Sequence, residues 1–104
     1  MILTVLEAMV APERAEELQA AFRSAAAEVP PGLVRTQLVH SVNDARWRIE
    51  TLWSSREALD AMRSKGTPAG VLMFRAAGAE PTLGVFTVVS TIDTGFDPGT
   101  VRGA

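Results

Sequence analysis

The sequence has no cysteine, no tyrosine and a single histidine, His40. Without cysteine there is no disulfide framework and no thiolate chemistry, and the chain suits a reducing cytosol. A lone histidine argues against a transition-metal centre, because such sites recruit several nitrogen or sulfur ligands. The missing tyrosine removes a common phenolic donor from any active site. An excess of one charge is lacking too: 10 basic residues stand against 12 acidic ones, for a net charge of −2. That balance gives no electrostatic reason to expect nucleic acid or an anionic membrane as partner. No run reaches the roughly 18 uninterrupted apolar residues of a spanning helix. The apolar start lacks a basic leading region and is interrupted by Glu7, so it does not read as a signal peptide, and a cytoplasmic protein is expected. No glycine-rich loop follows a strand, which leaves nucleotide and flavin binding without support.

What is present suits one domain with one core: 104 residues, of which 47% are apolar. The first strand reads as residues 2–10, with Ile2, Leu6, Ala8 and Val10 on one face. Leu3, Val5 and Met9 lie on the other face, with Glu7 among them. Pro12 opens a helix, where its missing N–H has no partner to lose. Ala15, Leu18, Phe22, Ala25 and Val29 then form an apolar stripe at helical spacing. Pro30-Pro31-Gly32 ends it. Residues 33–41 and 45–53 read as strands joined by a turn at Asn43-Asp44. In the first of these, Leu33, Arg35, Gln37 and Val39 share a face. In the second, Trp47, Ile49, Thr51 and Trp53 share one face and Arg46, Arg48, Glu50 and Leu52 the other. Ser54 and Glu57 fit a capping box for a helix carrying Ala58, Leu59 and Met62 inward to about Gly66. Thr67-Pro68 can restart a short helix through Val71, Leu72 and Phe74. Residues 82–92 read as a last strand rich in Val, Thr and Phe.

The order is β-α-β-β-α-β, a ferredoxin-like α+β arrangement with an antiparallel sheet. Both helices follow right-handed crossovers and cover the same sheet face. The first and last strands are apolar on both sides, so the second face needs a cover as well. A homodimer formed sheet to sheet, a dimeric α+β barrel, supplies it; a monomer with one apolar face is the alternative. Residues 1–92 are expected to form the domain and residues 93–104 an irregular tail.

Two segments carry a family resemblance. One is Val10-Ala11-Pro12-Glu13-Arg14-Ala15-Glu16-Glu17-Leu18 after the opening strand. The other is Arg48-Ile49-Glu50-Thr51-Leu52-Trp53-Ser54-Ser55-Arg56-Glu57-Ala58-Leu59, a strand ending in Glu-x-x-Trp followed by Ser-x-x-Glu-Ala-Leu. Together they resemble the antibiotic biosynthesis monooxygenase domain family, from Ile2 to about Ile92. The resemblance implies a dimeric α+β barrel. It also implies a cofactor-independent monooxygenase acting on a small aromatic or quinol-like substrate, with no metal, haem or flavin. Many members carry a histidine in the helix after the tryptophan, and haem-degrading members hold the iron with it. Here Met62 stands at that place, which argues against the haem branch. The alternative function is a non-catalytic dimeric protein that binds a small molecule on the same fold.

Three residues are candidates for chemistry. His40 could act as a general base at a pocket mouth, or it could be a surface residue ending a strand. Trp47 could form an aromatic wall with an indole N–H for a ligand oxygen, or it could pack the core. Trp53, on the same face, is read as core. Arg75 could place a cation in a pocket, or it could lie at a solvated helix end; Arg48 is an alternative on the opposite sheet face. Phe22, Met62, Met73, Phe74 and Phe86 are candidate lining for an apolar aromatic ligand between the second helix and the sheet, although methionine and aromatic residues at such spacings also build cores.

Overall fold

Strand β1 (Ile2–Met9) alternates as its sequence dictates: Thr4, Leu6 and Ala8 are buried on one side, and Leu3, Val5 and Glu7 are half-buried on the other. The structure is a computed structural model and describes residues 1–96. A 3₁₀ turn at Pro12–Arg14 leads into α1 (Ala15–Ser24), and a second such turn at Ala25–Ala27 ends it. Next come β2 (Leu33–His40), β3 (Arg46–Trp53), α2 (Arg56–Arg63), α3 (Ala69–Ala76) and β4 (Thr82–Thr87). The second helix is followed after Thr67-Pro68 by a separate short one, as the sequence suggests. The four strands form one antiparallel sheet in the order β2-β3-β1-β4. This is the ferredoxin-like α+β arrangement that the element order implies.

The helices cover one face of the sheet. Leu18 of α1 and Phe74 of α3 are fully buried against Leu6, Ala8, Val10, Trp47 and Ile49. Arg14 ties the two helices together at their ends. Its guanidinium donates to the Glu17 carboxylate at 2.6 and 2.9 Å and to the carbonyl of Ala76 at 2.9 Å. Gly32, at φ +83°, lets the chain entering β2 pass under α2, where a Cβ would lie 2.4 Å from that of Ala58.

Several boundaries differ from the sequence reading. Leu33 pairs with Trp53 and Arg35 with Leu52, so Val34 is the extra residue of a β-bulge. That slip of one residue turns Leu33 to the helix side, away from Arg35, Gln37 and Val39. The cap of α2 is Ser55, whose hydroxyl accepts from the N–H of Ala58 at 3.1 Å. Ser54 is not the cap, because its N–H is held by the carbonyl of Gly32 at 2.8 Å as a continuation of the sheet. Strand β4 stops at Thr87, short of Ile92; beyond it Val88 still donates to the carbonyl of Met1 at 3.0 Å, but Val89 and Ile92 are exposed. The end of the proposed tail, residues 97–104, lies outside the described residues.

The cap can be tested directly. Ser55→Ala should destabilise the protein by about 1 kcal/mol, since one helix N–H loses its acceptor. The expected result is a lower urea midpoint at unchanged slope. An unchanged midpoint would show that α2 is held by packing alone.

Candidate functional site

The helix side of the sheet is solid at one end and hollow at the other. The solid end lies over Ala8 and Trp47, beneath Leu18 and Phe74. At the hollow end is a cavity of about 540 Å³, floored by Thr4, Leu6, Thr36, Ile49, Thr51 and Trp53. Its walls come from Phe22 of α1 and Ala25 and Ala26 after it, from Leu59 and Met62 of α2, and from Gly70, Val71 and Met73 of α3. The hollow has a local cause. The side chains that α1 presents there after Phe22 are alanines, and the second helix breaks between Arg63 and Ala69 instead of continuing across the sheet. At Gly70 a Cβ would lie 2.7 Å from Leu6 Cδ1, so glycine lets α3 come down onto the strand there. The volume suits a small ring compound, within the usual size range of ligand sites.

Polar groups are few and placed in two zones. One is the floor, where Thr36 and Thr51 hydroxyls are 2.9 Å apart across β2 and β3. The indole N–H of Trp53 donates to Thr4 Oγ1 at 3.1 Å, and that hydroxyl in turn donates to the carbonyl of Thr51 at 3.5 Å. The other zone is the rim, with Glu28, Arg63, Arg75 and Glu80. Arg75 donates to Glu80 at 3.0 and 3.2 Å, and this hydrogen bond and the carboxylate's charge raise its pKa. No acidic side chain among the described residues forms an ion pair with Arg63.

The structure brings Phe22, Met62, Met73 and Arg75 to the cavity. It does not bring Trp47, His40, Phe74 or Phe86 there. Trp47 sits at the opposite end of β3, buried in the solid core. His40 is its register partner and stacks on it, ring centroids 4.1 Å apart and planes within 6°. Phe74 points into the core from the inner face of α3 and is fully buried. Phe86 pairs with Leu3, so it lies on the sheet face away from the helices. Arg48 is also on that face, where it pairs with Glu7 at 2.6 Å. Sequence reasoning missed Trp53 and the three threonines. The available signal was polar residues at positions 4, 36 and 51 on a face otherwise given to apolar side chains. The Trp53 indole is in the cavity, but its N–H is already taken by Thr4.

Among the described residues, no three of His, Cys, Asp and Glu come together in a way that could hold a metal ion. Nor is any helix there long and apolar enough to cross a membrane.

Comparisons with known proteins agree on the fold. Residues 1–67 match a family model described as antibiotic biosynthesis monooxygenase. No curated protein sequence gives a significant match. Among solved structures, SnoaB, a cofactor-independent oxygenase from Streptomyces nogalater, superposes with a TM-score of 0.66 at 23% identity, covering 88% of this chain and 95% of its own. MhuD from Mycobacterium tuberculosis, a heme-degrader with two hemes bound in its active site, superposes with a TM-score of 0.65 at 26% identity, covering 89% of this chain and 100% of its own.

Proposed function

The chain belongs to the antibiotic biosynthesis monooxygenase family, and we propose that it is a cofactor-independent monooxygenase acting on a small aromatic or quinol-like molecule held in the cavity. The observation that carries this reading is the cavity itself, apolar on its walls, with polar groups confined to the threonine floor and the charged rim. In such a reaction the substrate supplies the electrons. A phenol gives its hydroxyl proton to solvent, its anion reduces dioxygen, one oxygen atom bonds to a ring carbon whose C–H bond breaks, and the other leaves as water with the two hydrogens, so that phenol and dioxygen become quinone and water. The protein's part is to exclude water, orient the ring and stabilise the anion. Phe22, Met62 and Met73 are the proposed ring contacts. Arg75 is the proposed cation, with Glu80 as the partner that a substrate anion would displace.

A haem held by histidine fits these residues poorly. The cavity wall offers the thioethers of Met62 and Met73 and no imidazole, and His40 is stacked on Trp47 outside it. The second reading, a non-catalytic ligand-binding protein, is favoured by the same lining, which contains no histidine to serve as a general base. We place either activity in a cytoplasmic homodimer. Its basis is the face opposite the helices, where Leu3, Val5, Val39 and Leu52 are half-buried and Phe86 is 54% exposed.

Oxygen uptake with a panel of quinols and polycyclic phenols, with and without added metal, tests the proposal. Saturable uptake without metal is expected. Met73→Trp, which places a larger side chain in the wall, should reduce it by about tenfold or more through lost positioning. Binding of the same compounds without uptake would leave the non-catalytic reading; no binding at all would remove both.

A further inference from the structure

One register row crosses all four strands, Thr36, Thr51, Thr4 and Val85 in turn, and its three threonines lie in the cavity floor. The adjacent row, Leu38, Ile49, Leu6 and Leu83, is wholly apolar. Valine matches threonine in shape and strand preference, so packing alone does not call for hydroxyls here. Each hydroxyl carries one proton and can also accept. The proton of Thr4 goes to the carbonyl of Thr51. Its oxygen is occupied by the Trp53 indole. Between Thr36 and Thr51 one proton makes the 2.9 Å bond, and the second is not committed to any acceptor among the described residues. The pair therefore retains a donor at the floor of a largely apolar cavity, while the indole N–H that might have filled that role is engaged.

We infer that the Thr36–Thr51 hydroxyl pair reads an oxygen atom on the cavity ligand, donating its remaining proton to a ring carbonyl or phenolic oxygen, and so selects oxygenated rings over bare hydrocarbons. This rests on the proposal that the cavity binds a ring compound. It adds that an oxygen at the floor, distinct from the anion that Arg75 would hold at the rim, is recognised by β2 and β3 and not by a tryptophan. The rigid sheet holds the pair in place, and the apolar row beside it leaves the ligand oxygen no second acceptor-seeking partner along the floor.

The test compares 1-naphthol with naphthalene, with binding followed by tryptophan fluorescence, because Trp53 lines the cavity. The quantity read is the ratio of the two dissociation constants. In the Thr36→Val/Thr51→Val double variant the preference for 1-naphthol should fall by about threefold to tenfold, the worth of one hydrogen bond, with naphthalene binding unchanged. The corresponding double serine variant should keep the wild-type ratio. An unchanged ratio in the valine variant, with naphthalene still bound, would overturn the inference and leave the cavity reading intact. Failure of the wild type to bind either ring would overturn the cavity reading, and this inference with it. If the double valine variant does not fold, Thr36→Ala/Thr51→Ala decides: it too removes both hydroxyls, whereas either single variant would leave one free proton, and the ratio must fall there too.

Discussion

Phe74→Ala should lower the stability of the protein by about 3–5 kcal/mol, the cost of emptying a large aromatic site that cannot collapse. Phe74 is fully buried against the cluster that contains Leu18, Trp47 and Ala77. Domains of this size are stable by only about 5–15 kcal/mol, so the variant should approach unfolding at room temperature. Leu72, two residues earlier on α3, is 52% exposed, and its replacement by alanine should change stability by less than about 0.5 kcal/mol. Urea unfolding of both variants separates a core residue from an exposed one. Were Phe74 a lining residue, its truncation would enlarge the ligand site at little cost in stability. A loss below about 1 kcal/mol would therefore contradict the division of the helix side into a solid and a hollow end.

Val5→Asp should convert a sheet-to-sheet dimer into monomers. Val5 lies on the face away from the helices, opposite Glu50 and Gly84 and diagonal to Leu52 and Phe86. An aspartate there would be taken out of water directly opposite Glu50, with the nearby Arg48 already held by Glu7, which costs several kcal/mol. With an interface of the usual size, at least about 800 Å² per chain, the dissociation constant should rise by two orders of magnitude or more. Val85→Asp is the control, because its pairing with Thr4 puts Val85 on the helix side, where it should leave assembly unchanged. Sedimentation velocity reads both. A wild-type chain that sediments as a monomer at micromolar concentration would end the dimer proposal.

The two positions show how strand faces can be legible within an element and still ambiguous between elements. Alternation alone separates Leu83 and Val85 from Phe86 on β4. It does not say which set faces the helices, because both are apolar. The choice is made by pairing with β1, which sets Leu6 opposite Leu83 and Leu3 opposite Phe86. The same holds for the tryptophans. Their shared face is evident from their spacing, but which of them meets the cavity depends on where the second helix breaks. The bulge at Val34 could not be read either, since Leu33 and Val34 are equally apolar and only the partner strand chooses between them.

By itself, the sequence determined the order of the elements, the antiparallel hairpin, the amphipathic stripe of α1 and the presence of two apolar sheet faces. These follow from backbone periods of 2 and 3.6 residues, which are local properties of the chain. It also narrowed the chemistry, through one histidine and no cysteine. Alanines on the helices and the interruption after Arg63 already pointed to an unfilled space beside the second helix. Tertiary structure alone decided which side chains line it, because the strands of its floor meet only through long-range pairing. Hydrogen bonding within that space then engaged the Trp53 indole and left a threonine pair as the polar feature of the floor. Which donors remain available depends on atoms brought together by long-range strand register, and periodicity within any one segment cannot reveal that.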